Sequence, residues 1–216
     1  MSGSLSQKQL EHLERVAVGE INRHVSNGTL EHGREWTKTW HECSLRWSGS
    51  EPAYVMLPTV MCQRLTERAA EQAVVFELAK FVVASRLDAG VTTPSLLAKL
   101  VSGYLTGDFT PPKRNSGPRS EATWGRNFIV YCVLCELRMR SELPVTENKI
   151  QRGVRSRNPI LSEIMERAIR QTAMPNLQQS QIQEIWADTS KRDEAIEIEK
   201  TVIRTLLDDE KGYDWV

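Results

Sequence analysis

Basic side chains are concentrated in one stretch of the sequence, from Lys113 to Arg157. It contains ten lysines and arginines and four acidic residues, whereas the whole chain is neutral, with 28 basic and 28 acidic residues. Clustered cations of this kind neutralise the phosphates of DNA, and non-specific affinity depends on them. The sequence predicts a DNA-binding surface whose phosphate ligands are Lys113, Arg114, Arg119, Arg126, Arg152, Arg155 and Arg157.

The segment from Ile160 to Arg192 resembles a helix-turn-helix. An apolar helix is followed by a turn at Met174–Leu177 and by a short, glutamine-rich helix. Glutamine can read adenine edges in the major groove, and flanking cations can hold phosphates. The predicted contacts are Gln179, Gln181, Gln183, Lys191 and Arg192. Helix pairs with short connections also occur in ordinary bundles, and that interpretation stays open.

The end of the chain has the opposite charge. From Asp193 to Val216 there are eight acidic residues and three basic ones. This segment could pair with the basic stretch within the molecule, or it could fit a basic groove on a partner around an aromatic anchor. The second interpretation predicts an anti-CRISPR-like inhibitor of a host nuclease or defence complex that binds through Asp208, Asp209, Glu210, Asp214 and Trp215.

The nucleophiles, histidines and cysteines of the sequence form no recognisable catalytic or metal-binding motif. The sequence contains no phosphate-binding glycine loop and no nucleophile elbow. His41 and Cys43 lack zinc-ligand spacing, and the Cys132-x-x-Cys135 pair lies inside an apolar helical pattern, where core packing is expected. We therefore expect a protein that is not an enzyme and that has no cofactor and no metal.

The elements that position these residues are predicted to be helices. Apolar residues recur every three or four positions along most of the chain, which indicates an all-α bundle of about eight or nine helices. We expect an N-terminal helical half over 1–106, a Pro/Gly-rich basic loop over 107–119 and a C-terminal half over 120–216, with one shared core.

Local signals set several helix boundaries. Asn27-Gly28 should end the first helix, residues 58–89 should form one long helix or two abutting ones, and Thr93-Pro94 should begin the next with a threonine cap. Trp36, Trp40 and Trp47 are spaced to share one face of the second helix. That face should belong to the core, with a homodimer interface as the alternative.

The sequence shows neither a secretory signal nor a membrane-spanning segment. The N-terminus lacks the basic and apolar regions of a secretory signal, and the apolar stretch from Ala73 to Ala84 is interrupted by charges and far shorter than the roughly 20 residues of a membrane span. A cytoplasmic protein without membrane contact is expected.

Several short motifs of the C-terminal half occur in a recognisable order. A basic loop with Gly117-Pro118 precedes the helix around Trp124, and Thr146-Glu147-Asn148, Ser162–Met165 and Gln183–Trp186 follow. This order resembles a family of uncharacterised phage- and prophage-encoded helical proteins. The resemblance implies a mobile-element accessory protein that binds DNA or a nucleic-acid-bound host protein complex. The chain lacks the cations that flank the glycine in the family's Arg-Gly-Arg-Pro loop, so minor-groove insertion is not implied.

Overall fold

The computed structural model describes residues 6–113, 118–141, 143–146 and 160–209. Within these ranges the chain forms nine helices and one two-stranded antiparallel pair, in which Arg46 lies opposite Met56. The predicted all-α multi-helix class is confirmed. The elements are α1 (Gln7–Ser26), α2 (Thr29–Glu42), β1 (Arg46–Trp47), β2 (Val55–Met56), α3 (Thr59–Glu71), α4 (Ala73–Asp88), α5 (Ser95–Thr106), α6 (Pro118–Ser141), α7 (Leu161–Ile169), α8 (Gln179–Ala187) and α9 (Thr189–Asp209).

The described residues divide into two compact units. Unit 1 comprises those up to Glu31 and from Glu121 to Glu197, and unit 2 comprises those from His32 to Ser120 and from Ile198 onward. Each unit thus combines two separate stretches of chain, whereas the sequence predicts consecutive halves. None of the described helices combines the length and the apolar character that crossing a membrane requires.

Unit 1 is organised by the packing of α1 against α7 and of α7 against α8. The side chain of Ser6 caps α1, and Asn27 ends it, as predicted. The buried faces are those that the three- and four-residue spacing predicts, with Leu13, Ala17 and Ile21 on α1 and Ile164, Met165, Ala168 and Ile169 on α7. Removing these side chains from water stabilises the packing of the two helices.

Helix α6 passes very close to the backbone at the start of α2 in unit 1. A Cβ placed on Gly125 would overlap the carbonyl oxygen of Thr29 and lie 3.2 Å from the Cα of Leu30. No larger side chain fits at this position without moving backbone. This close approach fixes the distance between α6 and the start of α2 at Gly125. Arg126, Asn127 and Tyr131 follow on the same helix.

Unit 2 has an aromatic core. Trp36 and Trp40 of α2 are buried, and Phe81 of α4 lies 5.5 Å from the Trp36 ring and 5.7 Å from the Trp47 ring, centroid to centroid. Such contacts supply much of a core's burial. The tryptophans therefore pack inside this unit, as expected, and Trp36 and Trp40 are not exposed for a homodimer interface.

Several predicted boundaries of unit 2 need correction. Trp47 lies on β1, because the chain leaves the helix after Glu42 and Ser44 adopts a positive φ of 54°. Of the two predicted alternatives for residues 58–89, the structure has the two abutting helices, separated at Gln72, whose φ of −130° and ψ of 121° are extended. Helix α5 begins at Ser95, one position later than predicted, and the Thr93 hydroxyl does not cap it.

Arg86 is the principal buried charge of unit 2. Its guanidinium donates to the carbonyl oxygens of Val55 and Thr92, at 3.3 and 2.9 Å, and lies 5.2 Å from the centre of the Tyr54 ring. Burial lowers the pKa of this guanidinium from its ordinary value. The fork of donors suits this position, because it reaches two backbone carbonyls at once. Arg86 thereby joins α4 to β2 and to the segment before α5.

Candidate functional site

Much of the predicted phosphate-binding set falls outside the described residues. This applies to Arg114, Arg152, Arg155 and Arg157, and to the side chain of Arg119. It applies equally to the predicted protein-binding surface, since Glu210, Asp214 and Trp215 and the side chains of Asp208 and Asp209 are not described. Of the basic loop, Lys113 is described and is exposed. These residues stay predictions.

The predicted base-reading glutamines have contacts within unit 1. Gln183 Nε2 donates to Ser162 Oγ at 3.2 Å, which links α8 to α7. Gln181 Oε1 accepts a hydrogen bond from the backbone N–H of Gln178 at 2.9 Å, at the start of α8. Gln179 is half-buried. Gln183 is therefore occupied with packing, whereas Gln181 remains exposed.

The α7–α8 connection is longer than that of a helix-turn-helix. It extends over residues 170–178, with Met174 and Leu177 buried beneath it. The turn of a helix-turn-helix has about three or four residues. The assignment of this pair as a DNA-reading motif stays a prediction.

The two predicted cations after α8 both have neighbours. Lys191 Nζ lies 2.9 Å from Asp188 Oδ2, and the backbone N–H of Lys191 donates to Asp188 Oδ1 at 3.2 Å, which caps the first turn of α9. The Arg192 guanidinium lies 4.8 Å from the centre of the Trp186 ring. This is a cation–π geometry. Asp188 therefore fixes Lys191 at the start of α9.

One cleft in unit 1 brings three predicted contacts together. Its volume is about 280 Å³. Helix α6 contributes one wall, α8 and the residue Leu177 another, and the start of α9 a third. The lining residues are Arg126, Asn127, Tyr131, Leu177, Gln181, Glu184, Ile185, Asp188 and Lys191. Arg126, Gln181 and Lys191 belong to the predicted nucleic-acid surface.

Tyr131 is the buried polar group of this cleft. Its side chain is 2% exposed, yet its hydroxyl has no hydrogen-bond partner among the residues that the structure describes. Burial raises the pKa of Tyr131 to about 12, with a further increase from Asp188 and an opposing effect of Arg192. The phenol is therefore neutral at physiological pH and has a hydrogen-bond donor available. An unpaired buried hydroxyl is costly, which makes this position noteworthy.

The charged groups of the cleft nearly balance. Arg126 and Lys191 are basic, whereas Glu184 and Asp188 are acidic. Hydrogen bonds from Lys191 lower the pKa of Asp188, which is therefore ionised. Arg126 donates from Nε and Nη2 to Asn127 Oδ1 at 3.2 and 3.1 Å, which holds its guanidinium at the α6 wall. The cleft thus offers donors and acceptors at close range without a strong net charge.

Four polar residues of the cleft have no role in the sequence-based prediction: Asn127, Tyr131, Glu184 and Asp188. The sequence places Tyr131 on the apolar face of its helix, which is correct for the ring but gives no information about the hydroxyl. The positions 127 and 131, and 181, 184 and 185, are spaced three or four apart and so share helix faces. That spacing is the signal that could have identified them, although it is common on helices.

Two of the four cysteines are core residues. Cys43 and Cys62 are both buried in unit 2, and burial raises the pKa of the Cys43 thiol to about 11. A thiol with a raised pKa is a poor nucleophile at neutral pH. Cys132 and Cys135 form no disulfide and are half-buried within α6.

Comparison with known proteins was made at the levels of sequence and structure. No family model, no curated protein and no solved structure matches this chain. The resemblance of its C-terminal half to phage-encoded proteins therefore stays a prediction. The cleft is interpreted from its own residues.

Proposed function

We propose that the chain is a non-enzymatic, phage-type accessory protein that binds DNA or a protein–DNA complex, and that the unit 1 cleft is part of its contact surface. The observation that carries the proposal is the meeting of Arg126, Gln181 and Lys191, three separately predicted contacts, around one cleft. Arg126 lies on α6, far in sequence from Gln181 on α8 and Lys191 on α9, which follow one another along the chain. Their proximity is therefore a property of the fold.

The chemistry of the cleft is compatible with a nucleic-acid strand passing over it. Arg126 and Lys191 supply cations for phosphates, and the side chain of Lys191 is 60% exposed. The Gln181 and Asn127 amides can form hydrogen bonds with base edges. Glu184 and Asp188 limit how many phosphates the cleft itself accepts. Further phosphate contacts should therefore come from cations outside the cleft, such as the exposed Lys113 of the predicted set.

The test measures binding of the full chain to a short DNA duplex of mixed sequence by fluorescence anisotropy. We expect affinity to fall steeply as salt rises from about 50 to 200 mM, because each phosphate contact releases counterions. The variant Arg126→Ala should weaken binding to all sequences alike and lower the salt slope by about one.

The matched control is Arg170→Ala. Arg170 also belongs to unit 1, its side chain is 66% exposed, and it pairs with Glu166 on α7 outside the cleft. This variant should bind like the wild type. Absent or salt-insensitive binding would overturn the proposal and leave the predicted inhibitor of a host complex as the function to test. Equal losses in both variants would remove the cleft from the contact surface.

A further inference from the structure

We infer that the unit 1 cleft receives a single unpaired nucleobase, an inference that rests on the proposed binding of nucleic acid. It concerns what enters the cleft, whereas the proposed function concerns the surface as a whole. The buried hydroxyl of Tyr131, the mixture of donors and acceptors in the cleft and the size of the cleft lead to this conclusion.

The cleft has room for one small, flat group. Its volume of about 280 Å³ lies below the roughly 300 Å³ at which sites for drug-sized ligands begin. Leu177 and Ile185 are 5% and 9% exposed and supply apolar contact from the side of α8. Proteins that take a base out of the stack hold it against apolar or aromatic side chains in a close-fitting pocket. A duplex is too wide to enter.

The polar groups of the cleft match the edge of a base better than a phosphate. The Tyr131 hydroxyl can donate to a carbonyl or ring nitrogen, and the Glu184 carboxylate can accept from an N–H group. The Asn127 amide can donate, since its Oδ1 already accepts from Arg126, and the Gln181 amide can do both. A base edge alternates donors and acceptors, so it can use each of these groups. A phosphate offers acceptors alone and would lie beside the carboxylates of Glu184 and Asp188.

Tyr131 gives the strongest indication of a ligand. A hydroxyl that is buried to this degree ordinarily has a partner within the protein, because leaving it unpaired costs free energy. Here it has none among the described residues, and Tyr131 is one of the residues that line the cleft. Its raised pKa keeps the proton in place as a donor. A base that enters the cleft would supply the missing acceptor.

The experiment compares two duplexes that differ in one unpaired nucleotide. The full-length protein is titrated with a perfect duplex and with the same duplex carrying a single bulged nucleotide, at equal salt concentration. We expect the bulged duplex to bind about tenfold more tightly, since contacts to one base are worth this much or more. Tyr131→Phe and Glu184→Gln should each reduce that preference several-fold. The preference is the ratio of the two dissociation constants of one variant, so any change in affinity for the perfect duplex cancels.

The control variant is Tyr104→Phe, which removes a hydroxyl from α5 in unit 2, where Tyr104 is 39% exposed. It should keep the full preference. If the wild type binds both duplexes equally in a salt-dependent manner, the inference is wrong and the proposed function stands. If neither duplex binds, the proposed function fails and the inference fails with it. A preference that survives both cleft variants would place the base outside the cleft and overturn the inference.

Discussion

Arg86 in unit 2 and Tyr131 in unit 1 are both almost completely shielded from solvent, at 3% and 2% exposure. The Arg86 guanidinium donates to two backbone carbonyls, whereas the hydroxyl of Tyr131, a residue that lines the cleft, has no described partner. Burying a polar group is costly unless it is hydrogen-bonded. The difference indicates that Arg86 is used to build the fold, while Tyr131 retains a donor that a ligand can use.

Among the variants that test this comparison, we expect the largest change in the free energy of unfolding at Arg86. The variant Arg86→Met fills similar space but leaves the carbonyls of Val55 and Thr92 without their donor, so we expect a loss of about 3 kcal/mol in the free energy of unfolding. Arg86→Lys retains the charge but cannot reach both carbonyls as well, and should lose less. Urea denaturation followed by circular dichroism measures both.

The control for Arg86 is Arg64→Met. Arg64 also belongs to unit 2, but its side chain is 52% exposed and pairs with Glu42 across 3.6 Å. Exposed ion pairs contribute about 0 to 1 kcal/mol, so this variant should be close to the wild type. If Arg86→Met costs no more than Arg64→Met, the carbonyls of Val55 and Thr92 find other partners and Arg86 is not structural.

A second prediction concerns stability at high pH, where Tyr131 should respond. Its pKa is about 12 in the folded protein, compared with 10.0 for an unburied tyrosine. As pH rises above 10, the unfolded chain releases this proton while the folded chain retains it, so stability falls until the folded pKa is passed. We expect Tyr131→Phe to lose about 1 kcal/mol less than the wild type between pH 10 and pH 11.

Urea titrations of the two proteins at pH 9, 10 and 11 measure this difference. Cys43, whose pKa is also raised, contributes equally to both proteins and cancels in the comparison. Parallel losses in the wild type and Tyr131→Phe would show that the phenol ionises as easily in the folded protein as in the unfolded chain. The hydroxyl would then be solvated rather than buried.

Sequence periodicity predicted the helices well because it reports burial along a regular backbone. The end of α1 at Asn27 and the short helix α8 were found in this way. It did not predict that Trp47 leaves the helical face, because the turn at Ser44 has no glycine or proline to mark it. The break at Gln72 is similarly unmarked.

The cleft was predicted less completely than the helices. Charge and residue type indicated Arg126, Gln181 and Lys191, which the fold does bring together. Nothing in the sequence distinguishes the buried hydroxyl of Tyr131 from one that is hydrogen-bonded or exposed, since its ring fits the apolar face of α6 in each case. The sequence did not indicate that Arg86 is buried either, because the charged end of an arginine in an apolar helix ordinarily reaches solvent. Whether a buried polar group has a partner depends on distant segments such as Thr92 and Val55.

The smallest expected effect is the most informative about Tyr131. At neutral pH, Tyr131→Phe should not lower the free energy of unfolding and should raise it by up to about 1 kcal/mol, because it removes a buried hydroxyl whose desolvation no described hydrogen bond offsets. Thr37→Val is the matched contrast: the buried Thr37 hydroxyl donates to the Gly33 carbonyl at 2.8 Å, and its removal should cost about 1 kcal/mol. If both variants lose stability equally, solvent in the cleft already satisfies the Tyr131 hydroxyl, and a ligand gains nothing from it. If Tyr131→Phe is as stable as the wild type but binds the bulged duplex more weakly, the hydroxyl acts on the ligand and not on the fold.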